Sequence, residues 1–179
     1  MIIDILIILA VGLAALLIVA ALQPSDFRIT RSAAIPVPPA AVFAQVNDLH
    51  KWQAWSPWAK LDPDAKQTYE GPGEGTGAVF RWAGNDRIGE GAMTITDSRP
   101  AELVTFRLDF LKPFAATNIA EFTFKPDGSG TLVAWSMTGK RNLMFKAICL
   151  FMNMDKMVGG QFEQGLAGLA LVSTAEAGK

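Results

Sequence analysis

Covalent or acid–base chemistry would have to come from very few residues in this chain. Nucleophilic catalysis needs a nucleophile, a base and a group that orients the base, and the sequence holds one imidazole, His50, and one thiol, Cys149. His50 falls in a Trp-rich, Pro-bounded segment (His50-Lys-Trp52-Gln-Ala-Trp55-Ser-Pro-Trp58), where it reads as a surface or capping side chain rather than a base. Cys149, between Ala147-Ile148 and Leu150-Phe151, reads as a small hydrophobe packed on a helix. One Cys forbids an internal disulfide, and one Cys with one His cannot supply the four ligands of a structural zinc site. The glycine-rich stretch Gly71-Pro-Gly73-Glu-Gly75-Thr-Gly77 lacks the Gly-Lys-Ser/Thr ending and the following helix of a phosphate cradle, so it is expected to be a hairpin connection. No catalytic residue, metal or cofactor is therefore assigned.

The elements that would position any site begin after one long apolar run. Every residue from Ile5 to Leu22 is apolar, and 18 residues of helix extend about 27 Å, close to the ~30 Å hydrocarbon core of a bilayer. A transmembrane helix is expected over residues 1–22. A cleaved signal peptide, with Val19 and Ala21 before the cut, is the competing reading, but the leader carries no Lys or Arg and its apolar run exceeds the usual h-region. Arg28 and Arg31 follow the run and weakly favour a cytoplasmic soluble part. Residues 23–27 form a tether, 28–172 a globular domain and 173–179 a tail. The whole chain of 179 residues has 16 Lys+Arg against 17 Asp+Glu, a balance without the surplus cations of a nucleic-acid binder.

In the domain, Arg28 to Ile35 reads as a strand, and Pro39 opens a short helix through Ala40, Val42, Phe43 and Val46. The Trp-rich segment is expected as one helical turn ended by Pro57. Six further strands follow at 66–70, 77–83, 90–97, 103–111, 118–125 and 131–138, separated by Gly, Pro, Asn or Asp. Alternation places Val104, Phe106, Leu108 and Phe110 on one face, and Asn118, Ala120, Phe122 and Phe124 likewise. The opposite parity sends Asp109 and Glu121 to water. From Asn142 the period becomes helical, with Phe151, Met154, Val158, Phe162, Leu166 and Leu169 forming the apolar stripe of a closing helix of about 25 residues. Asp155 is the acid nearest that stripe, and a solvated residue beside Lys156 is its plainer reading. Gly159, Gly160, Gly165 and Gly168 each cost about 1 kcal/mol of helix stability against Ala, which points to close approach by a strand, a ligand or another helix.

Strand, short helices, consecutive antiparallel strands and a long final helix define an α+β domain in which one helix covers a curved sheet. That order resembles the SRPBCC superfamily, the START-like and Bet v 1-like helix-grip proteins described as polyketide cyclase/dehydrase and lipid-transport proteins. The motifs Trp52-x-x-Trp55-Ser-Pro-Trp58, Tyr69-Glu-Gly-Pro72, Trp82-Ala-Gly-Asn85, Gly91-Ala-Met-Thr-Ile95, Lys112-Pro-Phe114 and Met152-Asn-Met-Asp-Lys-Met157 carry the likeness, over about residues 27–171. The resemblance implies a bacterial, single-pass protein of the inner (cytoplasmic) membrane that holds a hydrophobic small molecule or lipid between sheet and helix. The expected ligand-binding residues are Phe80, Trp82, Met93, Phe106, Phe110, Phe122, Trp135 and Met137 on the sheet and Phe151, Met154 and Phe162 on the helix. Trp55 and Trp58 join them, and the cluster of Trp52, Trp55 and Trp58 fits a lid over the pocket, a membrane-interface contact or a packed corner of the core. The same side chains would serve a solid core, an enzyme of the cyclase or dehydratase type, or an interaction module, and the residues alone leave these open.

Overall fold

The structure, a computed structural model, describes residues 1–178. It begins with helix α1 (Ile2–Leu22), which has no polar residue after Asp4 and leaves every residue but Leu16 and Ala20 exposed. Its 21 residues make it long and apolar enough to cross a membrane. Three residues, Gln23 to Ser25, connect it to strand β1 (Asp26–Ile35).

Helix α2 (Pro39–Asn47) starts at Pro39, where a missing N–H leaves no intrahelical partner unsatisfied. After a 3₁₀ turn at Leu49–Lys51 comes α3 (Trp52–Trp55), which stops at an extended Ser56 ahead of Pro57; a second 3₁₀ turn covers Pro57–Lys60. Strands β2 (Lys66–Glu70), β3 (Val79–Ala83), β4 (Glu90–Arg99), β5 (Leu103–Lys112), β6 (Ala116–Asp127) and β7 (Gly130–Lys140) then follow. All seven strands form one antiparallel sheet in the order β1-β7-β6-β5-β4-β3-β2. Register breaks in β4, at Glu90/Gly91 and at Ile95/Asp97, supply the extra bend a curved sheet needs.

The strand spans and the inward parity follow the alternation of the sequence. Val104 and Phe106 of β5 and Ala120, Phe122 and Phe124 of β6 are buried. They face α2, α3 and the final helix α5 (Met154–Ala177) in a single core that includes Val42, Val46, Trp52, Trp55, Trp135, Phe162, Leu166 and Leu169. This is the α+β helix-grip architecture. Polar stitches hold the layers: Thr131 Oγ1 donates to the Val37 carbonyl at 2.7 Å, Ser98 Oγ donates to Asn47 Oδ1 at 2.6 Å, and Gln45 Nε2 donates to Glu176.

The helical tail departs from the single stripe expected from its period. Helix α4 (Leu143–Cys149) is capped by Asn142, whose Oδ1 accepts from Phe145 N at 2.8 Å, and α5 is capped afresh by Asn153, accepting from Lys156 N at 2.9 Å. Two asparagine caps divide what periodicity joins, because each satisfies orphan N–H groups of a new helix start. Phe151 falls in the break, 77% exposed, and does not face the sheet. Met154 is the first residue of α5.

The glycines of α5 do mark close approach. A Cβ on Gly159 would collide with the Arg31 guanidinium, one on Gly165 would lie 2.6 Å from the Trp135 ring, and one on Gly168 2.7 Å from the Trp55 carbonyl oxygen. Gly160 has open space instead.

Candidate functional site

Two hollows lie between the sheet and the helices. The first, of about 340 Å³, is walled by Trp52 and Trp58, by Phe80, Trp82, Met93, Leu108, Phe110, Ala120, Trp135 and Met137 of the sheet, and by Val158 and Phe162 of α5. The second, of about 600 Å³, is reached from the end of the sheet where α1 joins, between Pro24, Phe27, Phe114, Phe145 and Met154. Phe110, Lys112, Pro113, Met137 and Val158 belong to both walls, so the two hollows adjoin. Both fall in the range of about 300–1,000 Å³ in which small-molecule sites occur.

Of the residues expected to bind a ligand, Trp58, Phe80, Trp82, Met93, Phe110, Trp135, Met137 and Phe162 come together around the first hollow, and Met154 lines the second. Phe106, Phe122 and Trp55 lie in the packed core and contribute to neither wall. Phe151 is also absent from both. Trp52, grouped with Trp55 and Trp58 in the sequence but not among the expected ligand-binding residues, lines the first hollow; its ring meets Trp55, Phe106, Phe122 and Trp135 at centroid distances of 4.4–6.1 Å, and its Nε1 donates to the Val46 carbonyl at 2.9 Å. The tryptophan segment is thus mainly a packed corner. Only Trp58 keeps the half-exposed position that a lid residue would need, edge-on to Trp135 and Phe162. Arg141 and Phe145 also line the second hollow and were not singled out; the signal available was the basic Lys140-Arg141 pair directly before an asparagine cap, while Lys112 entered only as part of the Lys112-Pro-Phe114 motif.

The chemistry of the walls is dominated by aromatic and aliphatic carbon; several ionisable groups at the rims are paired, whereas among the described residues the side chains of Asp86 and Arg87 on the first hollow and of Lys140 on the second have no partner. Lys112 Nζ pairs with Glu90 Oε2 at 2.7 Å, which holds its pKa above the usual lysine range. Asp62 Oδ2 accepts from Asn85 N at 2.6 Å. Asp155 does not pair with Lys156: Arg31 Nη2 reaches its carboxylate at 2.8 Å while Arg31 Nε reaches Glu163 at 2.7 Å. That hydrogen-bonded pairing lowers the Asp155 pKa and clamps the start of α5 onto β1. His50 hydrogen-bonds Asp48 and stacks on Tyr69 at 4.1 Å; burial raises the Tyr69 pKa. Two buried polar atoms near the hollows lack a partner, Trp135 Nε1 and Arg141 Nε. Among the described residues no cluster of His, Cys, Asp or Glu is arranged to hold a metal ion.

A curved seven-stranded antiparallel sheet gripping one long C-terminal helix, with hollows between them, defines the helix-grip class. The chain belongs to the polyketide cyclase/dehydrase and lipid transport family, whose model matches residues 26–174. No curated protein matches it. Solved structures with the same fold include protein CV1439 from Chromobacterium violaceum, 14% identical, with 84% of this chain and 98% of that chain covered at a TM-score of 0.59. Protein MLL2253 from Mesorhizobium loti is 14% identical, with 81% and 95% covered at 0.60. The di-domain ARO/CYC StfQ of the steffimycin biosynthetic pathway is 9% identical, with 87% of this chain and 53% of that chain covered at 0.63. At these identities the likeness is one of fold.

Proposed function

We propose that this protein is a membrane-anchored binding or transfer protein for a hydrophobic small molecule, lipid-like or aromatic, held in the adjoining hollows between sheet and α5. The observation that carries the reading is the concentration of Trp58, Phe80, Trp82, Phe110, Trp135 and Phe162 around open space rather than around one another alone. Burial of a ligand against such a wall gains about 25 cal/mol per Å² of apolar surface, so affinity needs no charged contact. In this reading α1 spans the inner membrane of a bacterium once and keeps the hollows beside the phase in which such ligands concentrate.

Cyclisation or dehydration would need inward ionisable groups to move protons. Of the four ionisable residues lining the first hollow, Asp62 and Lys112 already hold Asn85 and Glu90, and Asp86 and Arg87 are exposed on the turn between β3 and β4, which supports binding over turnover.

Organic extraction and mass spectrometry of the chain purified with α1 intact provide the test. A stoichiometric apolar molecule is expected, and Leu108→Trp, which fills the first hollow, should lower its yield severalfold while leaving the circular dichroism spectrum unchanged. Wild-type protein that releases no stoichiometric ligand overturns the proposal.

A further inference from the structure

The second hollow opens at the end of the sheet that receives α1, and its surroundings differ from the rest of the surface. Helix α4 packs against α1, and the only α1 residues withdrawn from exposure are Leu16 and Ala20, one turn apart on the same face. Lys146 Nζ donates to the Ala21 carbonyl at 3.3 Å, tying α4 to the last turn of α1. Leu16 lies six residues before Leu22, so α4 is held within about 9 Å of the end of α1 along its axis. That is the depth of about 5–10 Å at which an interfacial helix lies below a bilayer surface.

The outer side of this region is apolar where a water-facing surface would be polar. Leu143, Met144, Phe151 and Met152 are exposed, as are Leu111 and Phe114 in and after β5. Phe114 meets Phe145 of α4 edge-on at 6.1 Å, which joins the β5–β6 turn and α4 into one patch. From Lys140 to Met154 the chain carries Lys140, Arg141 and Lys146 and no acid. Among the described residues none of these three forms a salt bridge.

We infer that α4 with the segment Leu150–Met152 and the β5–β6 turn is a second membrane contact, an interfacial foot that inserts beside α1 and seats the mouth of the second hollow on an anionic lipid surface. The occupant of the patch is the bilayer for three independent reasons: α1 fixes the depth, the exposed side chains are apolar, and the flanking bases, whose charge no acid neutralises, complement anionic headgroups. A ligand then passes between the acyl layer and the protein through the gap bounded by Pro24, Phe114 and Phe145 without crossing water. The inference rests on the anchoring role proposed for α1, and deepens it.

The test is nitroxide depth measurement by electron paramagnetic resonance on the whole chain, reconstituted in phosphatidylcholine vesicles with and without phosphatidylglycerol. Single labels are placed through Leu9→Cys, Met144→Cys, Phe151→Cys and Asp127→Cys, each in a Cys149→Ala background. Labels at 144 and 151 are expected about 5–10 Å below the phosphates, more oxygen-accessible than the label at 127, and shallower in phosphatidylcholine alone. Labels at 144 and 151 as water-accessible as that at 127, with the label at 9 in the hydrocarbon, overturn this inference and leave the anchor standing. A water-exposed label at 9 overturns the anchor itself and with it the foot. Labels at 144 and 151 shielded from both oxygen and the aqueous relaxant show a protein covering the patch, and also overturn it.

Discussion

The glycines of α5 separate two effects that helix propensity alone would merge. At Gly160 a methyl meets nothing within 4 Å, so Gly160→Ala is expected to stabilise by about 1 kcal/mol in urea denaturation. At Gly168 the same methyl lies 2.7 Å from backbone of α3, and overpacking of about 1–3 kcal/mol outweighs the propensity gain; Gly168→Ala should destabilise. Asp155 gives a pH-dependent counterpart. Its carboxyl is held below the ordinary 3.8 by hydrogen bonding to Arg31, so its stabilisation is fully present above that value and fades as pH falls through the lowered one. Asp155→Asn should therefore lower stability at pH 7 and flatten its loss on acidification, read as melting temperature against pH. That Asp155 lies beside the buried stripe was readable from the helical period. Its partner was not, because Arg31 is 124 residues away and only the fold brings β1 onto α5.

Among the elements, strands were recovered most closely from sequence, since period-two alternation and Gly or Pro punctuation are local signals. The closing helix was less readable: the stripe from Met154 to Leu169 survives, but Phe151 was included because its spacing fits, while the asparagine cap that excludes it acts through a single backbone bond. The Trp segment shows a similar division. Trp52→Ala removes a buried ring that packs on four aromatic neighbours and is expected to cost about 3–5 kcal/mol. Trp58→Ala, at a half-exposed position on the wall, should cost clearly less and enlarge the first hollow instead; paired chemical denaturation curves distinguish the two. Residue type alone gave no basis for that difference, because three indoles within seven residues look alike until the core has formed around two of them.

Over the whole molecule, the hollow itself was the feature least accessible to sequence, because a solid core and a lined cavity use the same side chains. Phe106 and Phe122 went to the solid part, and Phe110 and Trp135 to the wall. The apolar run of α1, by contrast, was plain from composition, and material washed with alkaline carbonate should retain the intact chain in the membrane fraction. The link between that helix and β1 has a further consequence. Three residues reach at most about 10 Å, so in the proposed arrangement the domain cannot swing away from its own leaflet to meet a distant acceptor. On that proposal, cargo bound for another compartment would have to be collected there by a mobile carrier, and the protein would act as a fixed exchange point rather than a ferry.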